Sequence, residues 1–485
     1  QFVNKLDGRH NLPGPRDGFD FSWQFYYGES NATEPDRRYL GYNTDNETPI
    51  MNENMRTWTW LDEMSRGHAF DLAWSPAEDE FEKQYNPEFK IGYRNEERER
   101  DFDVEAWYTT PTFRTSGELK ITSPDSIFAP ENYNEVSDPR RGTGWEFAQD
   151  DINSGVYDAT HDLAAWYGMA DVPFSLFQED LRLTGGVRVE DSDQIVVATP
   201  LRSQPANQDT ARVDTKDPLP SVSLTWFYDE QTNVRLGYYE SVNRPEFREL
   251  APVNRRNFKT FQNELGNPNL ERAQIKNYDA RFEYFPDFGE VVAASVFYKD
   301  LRNAIEDTLY MAPERAVASW SNVPEAENYG FELELRKRLS WWTATDNFTL
   351  SANYTRVWSE VPYKDHATGE DKTRTLHGQA PWSINAGLLY GTTNGRTTLN
   401  LLYNKVGRRL DKIADFEFLY VYLEPRNKLD FVFTQKIGVR YRVKVAVKDI
   451  LAEDTVYTSG SEDNPYEYAR ITEGTEYSLS FSGRF

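Results

Sequence analysis

The stretch Tyr278-Asp-Ala-Arg-Phe-Glu-Tyr284 alternates strictly between apolar and charged side chains. Successive side chains of a β-strand point to opposite faces, so this period of two predicts a strand with one apolar face and one charged face. The same alternation occurs at residues 19–27, which read Phe-Asp-Phe-Ser-Trp-Gln-Phe-Tyr-Tyr, and it recurs in ten or more later segments. The chain is therefore predicted to be all-β.

The length of these segments separates two all-β architectures. Strands of a soluble sandwich commonly have about 5 to 6 residues, whereas several of these alternations continue for about 9 to 11, the length of a tilted strand that crosses a bilayer. We therefore predict a transmembrane antiparallel β-barrel, with apolar side chains towards lipid and charged side chains towards the lumen. A soluble or surface-attached carbohydrate-binding module is the alternative from another class, and a passive porin is a third.

The composition agrees with a barrel. Hydrophobic residues make up 38% of the 485 residues, the mean hydropathy is -0.76, and no stretch approaches the roughly 20 apolar residues of a spanning helix. Aromatic residues reach 15%, which suits girdles at the two membrane interfaces. The net charge of -25 argues against a nucleic-acid partner.

The charged face of the alternating segments is predicted to line the lumen. There, its side chains are expected to pair across neighbouring strands or to face a hydrated interior rather than to contact a ligand directly. The residues on this face are Arg182, Arg188, Asp279, Arg281, Glu283, Glu332, Glu334, Arg336, Arg440, Arg442 and Lys444.

Connections of two kinds support the barrel. Pro286-Asp-Phe-Gly289 and Asn394-Gly395 indicate tight links between strands, whereas residues 191–217, 246–273 and 361–380 are long and polar. Barrels of this kind have short turns at one rim and long loops at the other. About 16 to 18 strands are predicted, in one domain without a composition break.

A crowd of carboxylates precedes the first long connection. We expect these carboxylates to lie in a loop and to be solvated by water rather than to hold divalent cations. They are Glu96, Glu97, Glu99, Asp101 and Asp103.

No residue pattern indicates catalysis, a cofactor or a metal. The chain contains no cysteine, which excludes thiolate ligands and nucleophiles, and it contains no nucleophile elbow, phosphate loop, zinc-protease pair or EF-hand loop. His161 stands beside Asp162 and His377 stands near Asp371, but no His-x-x-x-His pair occurs. The chain is not predicted to be an enzyme.

The central part of the chain resembles a known family. Ser241-Val-Asn-Arg-Pro-Glu-Phe-Arg-Glu-Leu-Ala-Pro252 is followed by Gly266-Asn-Pro-Asn-Leu270 and then by Asn277-Tyr-Asp-Ala-Arg-Phe-Glu-Tyr284. This order resembles the barrel of TonB-dependent outer-membrane receptors, nearer to those of Bacteroidetes-like bacteria than to small enterobacterial siderophore receptors. Further pieces appear in family order, such as Gly185-Gly-Val-Arg-Val-Glu190 and Gly378-Gln-Ala-Pro-Trp382.

The resemblance implies a function and several partners. Such receptors have a barrel of 22 strands and an amino-terminal plug that fills the lumen and engages TonB. Residues 1–485 are therefore expected to be the barrel domain, without the plug and the first strands. The implied function is energy-coupled uptake across the bacterial outer membrane of a scarce ligand: a ferric chelate, oligosaccharide, vitamin or peptide. Outer-membrane lipid, the plug, the TonB complex and the barrel assembly machinery are the expected partners.

Two groups of residues are assigned roles on this basis. Tyr477, Leu479, Phe481 and the terminal Phe485 resemble the strand that outer-membrane proteins present to their assembly machinery. The residues of the central loop that are candidates for contact with ligand, or equally for a role in folding that loop, are Arg244, Glu246, Phe247, Arg248 and Glu249.

Three structural expectations follow. The long connections at residues 244–273 and 361–380 should lie at the same, extracellular rim. Residues 19–27 should not pair with residues 477–485, because further strands or a second chain should close the barrel. Arg281, Glu283, Glu332 and Lys444 should face inward, and the residues that should face lipid are Phe282, Tyr284, Phe331, Leu333, Val443 and Val445.

Overall fold

The computed structural model is almost entirely β. Among the residues it describes, no helix is long and apolar enough to cross a membrane. The described residues are 2–15, 18–43, 50–76, 86–111, 145–150, 154–200, 209–257, 262–311, 316–339, 347–365, 368–461 and 464–483.

The described residues form 25 strands, one short helix and one 3-10 turn. The helix α1 is Phe247–Leu250 and the turn is Glu417–Leu419. The strands, in chain order, are β1 Phe2–Leu12, β2 Phe19–Asn43, β3 Ile50–Trp74, β4 Glu88–Pro111, β5 Trp145–Gln149, β6 Gly155–Leu176, β7 Glu179–Pro200, β8 Asp209–Phe227, β9 Thr232–Asn243, β10 Arg255–Asn257, β11 Gln262–Glu264, β12 Ala273–Tyr284, β13 Val291–Met311, β14 Ala316–Arg338, β15 Phe348–Lys364, β16 Asp371–Arg374, β17 Trp382–Gly391, β18 Thr397–Val406, β19 Arg409–Ala414, β20 Val421–Leu423, β21 Arg426–Ile437, β22 Tyr441–Lys448, β23 Thr455–Ser461, β24 Asn464–Ile471 and β25 Glu476–Gly483.

Seventeen of these strands form one antiparallel meander, the wall. Its hydrogen-bonded order is β1-β2-β3-β4-β6-β7-β8-β9-β12-β13-β14-β15-β17-β18-β21-β22-β25. The other eight strands have three to eight residues and belong to the connections. The predicted antiparallel all-β architecture is confirmed, and the predicted count of about 16 to 18 strands agrees with the 17 strands of the wall but omits the eight short strands of the connections.

The register sorts the wall into two faces. Arg182 of β7, Arg235 of β9, Arg281 of β12 and Glu332 of β14 lie in one row of directly paired residues. Directly opposed residues of antiparallel strands point to the same side. The neighbouring Phe282 therefore lies on the other face, where its side chain is 46% exposed.

The predicted division of side chains between the faces agrees with the register. One face holds the four residues that were predicted to face inward, which are Arg281, Glu283, Glu332 and Lys444. The opposite face holds the six residues that were predicted to face lipid, which are Phe282, Tyr284, Phe331, Leu333, Val443 and Val445. We assign the apolar face to lipid, because a charge at the bilayer midplane costs roughly 2 to 4 kcal/mol on a barrel. Arg440 is an exception, since it lies in the turn between β21 and β22 rather than on a strand.

The connections differ in length at the two ends of the wall. Every second connection returns to the same rim, because consecutive wall strands are antiparallel. The short-turn rim includes residues 177–178 and 438–440. The long-loop rim includes residues 244–272, 365–381, 407–425 and 449–475. The prediction that residues 244–273 and 361–380 share a rim is therefore confirmed.

The polarity of the faces inverts along β4. Near the short-turn rim, Phe89 and Ile91 are exposed on the outer face. Further along, the outer face carries four carboxylates from Glu97 to Asp103, while Phe102 and Val104 are buried on the inner face. The outer face thus passes from lipid into water within a single strand.

This inversion corrects the expectation that the carboxylate crowd occupies a loop. Glu97, Glu99, Asp101 and Asp103 lie on the outer face of β4, and Glu96 lies on its inner face beside Arg94. The reason is that β2 to β4 have 24 to 25 residues, about twice the length that crosses a bilayer. The long-loop ends project beyond the membrane, where outward charges are solvated.

The two ends of the meander have one strand neighbour each in the described part of the chain. Residues 19–27 pair with β1 and β3, and β25 pairs with β22. No pairing joins residues 19–27 to β25 among these residues, as expected. That further strands close the barrel stays a prediction.

Adjacent residues of β13 offer a direct check of the faces. Val296 lies on the outer face and is 57% exposed, whereas Ser295 points inward opposite Glu332. We expect Val296→Lys to destabilise the folded barrel by roughly 2 to 4 kcal/mol, because lysine would enter hydrocarbon. Ser295→Lys is the control and should cost little. Urea titration of the protein in lipid vesicles checks both, and equal costs would contradict the assignment.

Candidate functional site at the mouth of the barrel

Residues 244–257 and 262–272, here named the mouth segment, cross the long-loop rim. Asn263 of β11 pairs with Val317 of β14, the Gln262 side chain hydrogen-bonds to Tyr468 of β24 at 2.5 Å, and the Arg256 guanidinium lies 5.0 Å from the Tyr39 ring of β2. β2 and β14 are far apart in the meander, and β24 belongs to the connection between β22 and β25. The wall must therefore curl around the segment, which places it across the mouth.

Local sequence explains why the segment begins with a helical turn. The Glu246 side chain accepts from the backbone at Glu249, and the Glu249 side chain accepts from the Glu246 N–H at 3.0 Å. This reciprocal capping box satisfies N–H groups that a helix start leaves unpaired. The turn aims Phe247 and Leu250 into the barrel, where both are buried.

Phe247 anchors the segment in an apolar core. Its side chain is 1% exposed and packs among inward residues of the projecting strands, including Phe102 and Tyr157. The Arg98 and Arg100 guanidinium carbons each lie 5.3 Å from the ring centroid, within the range of cation–π attraction. This core exists because the inner face is apolar above the membrane.

Arg244 joins the segment to β7 and β8. Its guanidinium lies 2.7 Å from a Glu190 carboxylate oxygen and 3.0 Å from Asp217, and Arg272 lies 2.6 Å from Asp217. Arg188 contacts Glu190 at 2.7 Å. The side chains of Arg244 and Asp217 are only 13% and 1% exposed. Both ends of the mouth segment are therefore held by one buried ionic cluster.

Arg248 stabilises the turn that follows α1. Its guanidinium donates to the carbonyl oxygens of Val253 at 3.0 Å and Glu264 at 2.8 Å, and it lies 5.7 Å from the Trp320 ring. Burial lowers the pKa of Arg248 to about 10. The group therefore stays charged at neutral pH and is occupied by backbone acceptors.

A second ionic cluster holds the neighbouring loops. Glu306, buried on β13, accepts two hydrogen bonds from the Arg374 guanidinium, at 2.6 and 3.1 Å, and one from the His377 backbone N–H at 2.8 Å. The adjacent Asp307 contacts Lys412 of β19 at 2.8 Å. The alternation pattern did not distinguish Glu306 from other charged residues, so sequence analysis missed this cluster.

A polar cavity lies lower on the inner wall. Its volume is about 500 Å³, and its lining includes Asn353, Asn385 and Asn404 from β15, β17 and β18. Asn385 donates to Asn353 at 2.7 Å, and Asn404 donates to Asn385 at 2.6 Å. This row of amides presents uncharged donors and acceptors to the lumen.

The candidate loop residues are brought together, and most are occupied by packing. Arg244, Phe247 and Arg248 make the contacts just described, and Glu249 closes the capping box, which agrees with the folding role. Glu246 is exposed. Contact between this group and a ligand stays a prediction.

Most of the predicted lumen-facing side chains of β7 to β14 pair with neighbours. Arg182 contacts Asp171 at 2.6 Å, and Arg281 contacts Glu283 at 2.9 Å and Glu334 at 2.7 Å. By contrast, Arg442 and Lys444 have no ion-pair partner within the described ranges.

The predicted assembly strand is exposed. Tyr477, Leu479 and Phe481 of β25 are 76%, 76% and 66% exposed on the outer face. Phe485 lies outside the described residues.

His161 lies beyond the lipid-facing part of β6 and beneath the mouth segment. Its Nε2 is 2.9 Å from the Ser192 hydroxyl. Burial, together with the charges of Arg244 and Arg98, lowers the pKa of His161 from 6.5 to about 4. The ring is therefore neutral at neutral pH. As for metals, no group of three acidic or histidine side chains among the described residues is arranged to hold an ion.

The depressed pKa of His161 gives an expected pH dependence. The unfolded chain takes up a proton near pH 6.5, whereas the folded chain does so only near pH 4. The contribution of His161 to stability is therefore complete above about pH 6.5 and falls as the pH drops towards 4. We expect unfolding midpoints measured at pH 7 and pH 5 to differ less in His161→Gln than in the wild type. Identical differences would contradict this account.

Comparison with known proteins gives the chain a family and a fold. A family model described as TonB dependent receptor-like, beta-barrel, matches residues 2–479. No curated protein matches the sequence. Among solved structures, the siderophore receptor PiuA from Acinetobacter baumannii is similar, with a TM-score of 0.62 at 13% identity over 99% of this chain and 64% of PiuA.

Two other solved structures are similar to the same extent. The ferric citrate transporter FecA, unliganded, gives a TM-score of 0.60 at 13% identity over 99% of this chain and 61% of FecA. The copper transporter OprC gives 0.63 at 13% identity over 100% of this chain and 65% of OprC. At these identities the likeness concerns the fold, and the chain spans less than two thirds of the length of each of these proteins.

Proposed function

Because the chain belongs to the TonB-dependent receptor β-barrel family, we propose that it forms the wall of a receptor for energy-coupled uptake of a scarce ligand. Barrels of this family lie in the bacterial outer membrane and are receptors and transporters rather than enzymes. In this proposal the ligand binds at the long-loop rim and passes through the lumen when the inner membrane supplies energy. No covalent bond is made or broken.

The observation that carries the proposal is the mouth segment. A passive porin keeps a water-filled channel, whereas here the mouth segment crosses the rim and is tied to β2, β14 and β24. An obstructed mouth supports a gated receptor over free diffusion. The polarity inversion of the wall supports a barrel whose outer vestibule stands clear of the membrane.

The ligand class stays open among a ferric chelate, an oligosaccharide, a vitamin and a peptide. Below the mouth segment, the described part of the wall offers this ligand the uncharged amide side chains of Asn353, Asn385 and Asn404.

We further infer that additional strands pair with the edges of β1 and β25 that have no strand neighbour among the described residues. An unpaired backbone group in hydrocarbon costs several kcal/mol, so both edges require partners in the membrane. A lumen-filling plug that engages TonB is the corresponding partner inside the wall. Slow hydrogen exchange at every amide of β1 and β25 in the native protein would support pairing, whereas fast exchange at alternate amides would contradict it.

A growth experiment tests the function. We expect a strain that lacks this gene to lose growth on one limiting ligand from a panel of ferric chelates, vitamins, oligosaccharides and peptides. Uptake of that ligand should return with the gene and should cease when TonB is deleted or the proton gradient is collapsed. Uptake that continues without TonB would contradict energy coupling and favour the porin.

A further inference from the structure

Near the short-turn rim, the inner face of β21 and β22 carries three cations with no carboxylate directly beside them among the described residues. Lys436 of β21 lies directly opposite Arg442 of β22, and Lys444 is the next inward residue of β22. These three residues, here named the cationic row, lie near the short-turn rim, and all three are exposed. Like charges directly opposite each other destabilise a strand pair. Among the described residues of the wall, no carboxylate therefore offsets the repulsion between these cations.

The other half of the inner wall is organised differently. Inward cations from β1 to β12 have carboxylate partners within 4 Å, whereas none of the cationic row has such a partner among the residues described for β14 to β25. The paired cations are Lys5 with Asp7, Arg9 with Asp20, Lys90 with Glu88, Arg94 with Glu96, Arg100 with Glu63, Arg182 with Asp171, Arg188 with Glu190, Arg235 with Glu283 and Arg281 with Glu283.

The neighbours of the cationic row add donors rather than negative charge. Ser480 and Ser482 of β25 lie directly opposite Lys444 and Arg442. Asp430, the carboxylate on the same face of β21, accepts the backbone N–H of Asp449 at 2.8 Å. This part of the inner wall is therefore a surface of cations and hydroxyls, which complements a carboxylate-bearing partner.

We propose that the cationic row docks an acidic polypeptide face of the domain that fills the lumen. The inference rests on the proposed function, which places such a domain inside the wall. Inward residues of one strand are about 7 Å apart, a spacing that alternate carboxylates of an extended segment match. A tethered segment is also favoured over free anions, because exposed ion pairs are weak and tethering supplies a high effective concentration.

Zero-length cross-linking of the full-length protein in isolated outer membranes tests the proposal. A carbodiimide joins a lysine amine to a carboxylate that it contacts, and peptide mapping identifies both residues. We expect Lys436 and Lys444 to link to aspartate or glutamate of the lumen-filling domain. Lys448, which lies 2.9 Å from Glu476, is the internal positive control.

Variants separate docking from folding. Lys444→Arg keeps the charge but removes the amine, so it should lose its own link and retain that of Lys436. Arg442→Glu places a carboxylate inside the row and should reduce the link of Lys436 to the domain. The Lys448 link to Glu476 should persist in every folded variant.

The proposal is overturned if Lys436 and Lys444 stay unlinked while Lys448 links to Glu476, or if they link only to wall carboxylates such as Asp430. Failure of the proposed function is a different result, because uptake would then be absent in cells with the wild-type gene. Failure of this inference leaves uptake intact and the two links missing.

Discussion

Replacing Arg244 with glutamine is expected to destabilise the folded barrel by about 3 to 5 kcal/mol, because two buried carboxylates, those of Glu190 and Asp217, each lose a charge-assisted hydrogen bond worth about 1.5 to 3 kcal/mol. Arg244 bridges Glu190 and Asp217, whose side chains are 12% and 1% exposed. Arg272 alone then opposes Asp217, and Arg188 alone opposes Glu190. Urea titration of the purified protein in detergent gives the free energy of unfolding.

A matched arginine pair on the outer surface provides the control. Arg212 contacts Asp193 at 2.9 Å, close to the Arg244 distances, but its side chain is 56% exposed. Exposed pairs contribute about 0 to 1 kcal/mol, so Arg212→Gln should be nearly neutral. Comparable losses in the two variants would show that burial of the Arg244 cluster does not govern its strength.

The loss should begin in the mouth segment, since Arg244 and Arg272 hold its two ends. Limited proteolysis should therefore cut the mouth segment faster in Arg244→Gln at urea concentrations at which the wall is still folded.

Sequence analysis identified the membrane part of the wall because each strand there faces lipid on one side and the lumen on the other, which requires apolar and charged side chains to alternate. In the belt, Phe282 must meet lipid and Arg281 must meet the lumen, so apolar and charged residues alternate strictly. That rule also located the aromatic strand at residues 19–27 and the strand that the structure describes as Glu476–Gly483. The number of long strands followed from counting such alternations.

The same rule failed above the membrane. On β4 the outward residues from Glu97 to Asp103 meet water, while the inward Phe102 meets the mouth segment. Polarity is therefore inverted, and a run of outward carboxylates looks like a solvated loop. On β4 the apolar side chains change from the outer face to the inner face, and no turn residue separates the two patterns. That change is the sequence signal that would have predicted one continuous strand.

The mouth clusters depend on contacts that sequence spacing does not contain. Glu190 and Asp217 face Arg244 only because three strands and one loop converge at the rim, and Glu306 meets Arg374 across 68 residues of chain. By contrast, the capping box of Glu246 and Glu249 is local, because it joins residues only three positions apart in the chain.

Replacing Phe247 with alanine is the second large change expected. Phe247 is 1% exposed in the core beneath the mouth segment, and truncating a buried phenylalanine costs about 3 to 5 kcal/mol through lost burial and the remaining cavity. The guanidinium groups of Arg98 and Arg100 would also lose the ring they contact. We expect a lower free energy of unfolding and a mouth segment that opens before the wall unfolds.

A control variant and a binding measurement distinguish a folding role of Phe247 from a role in ligand contact. Phe288, in the turn between β12 and β13, is 91% exposed, so Phe288→Ala should change stability by less than about 0.5 kcal/mol. Once the ligand is known, its affinity for folded Phe247→Ala separates two roles. A folding role predicts a large loss of stability, with any loss of affinity recovered when Phe247→Leu refills the core. A contact role predicts nearly unchanged stability and an affinity that Phe247→Leu does not restore, and that result would contradict the packing described here.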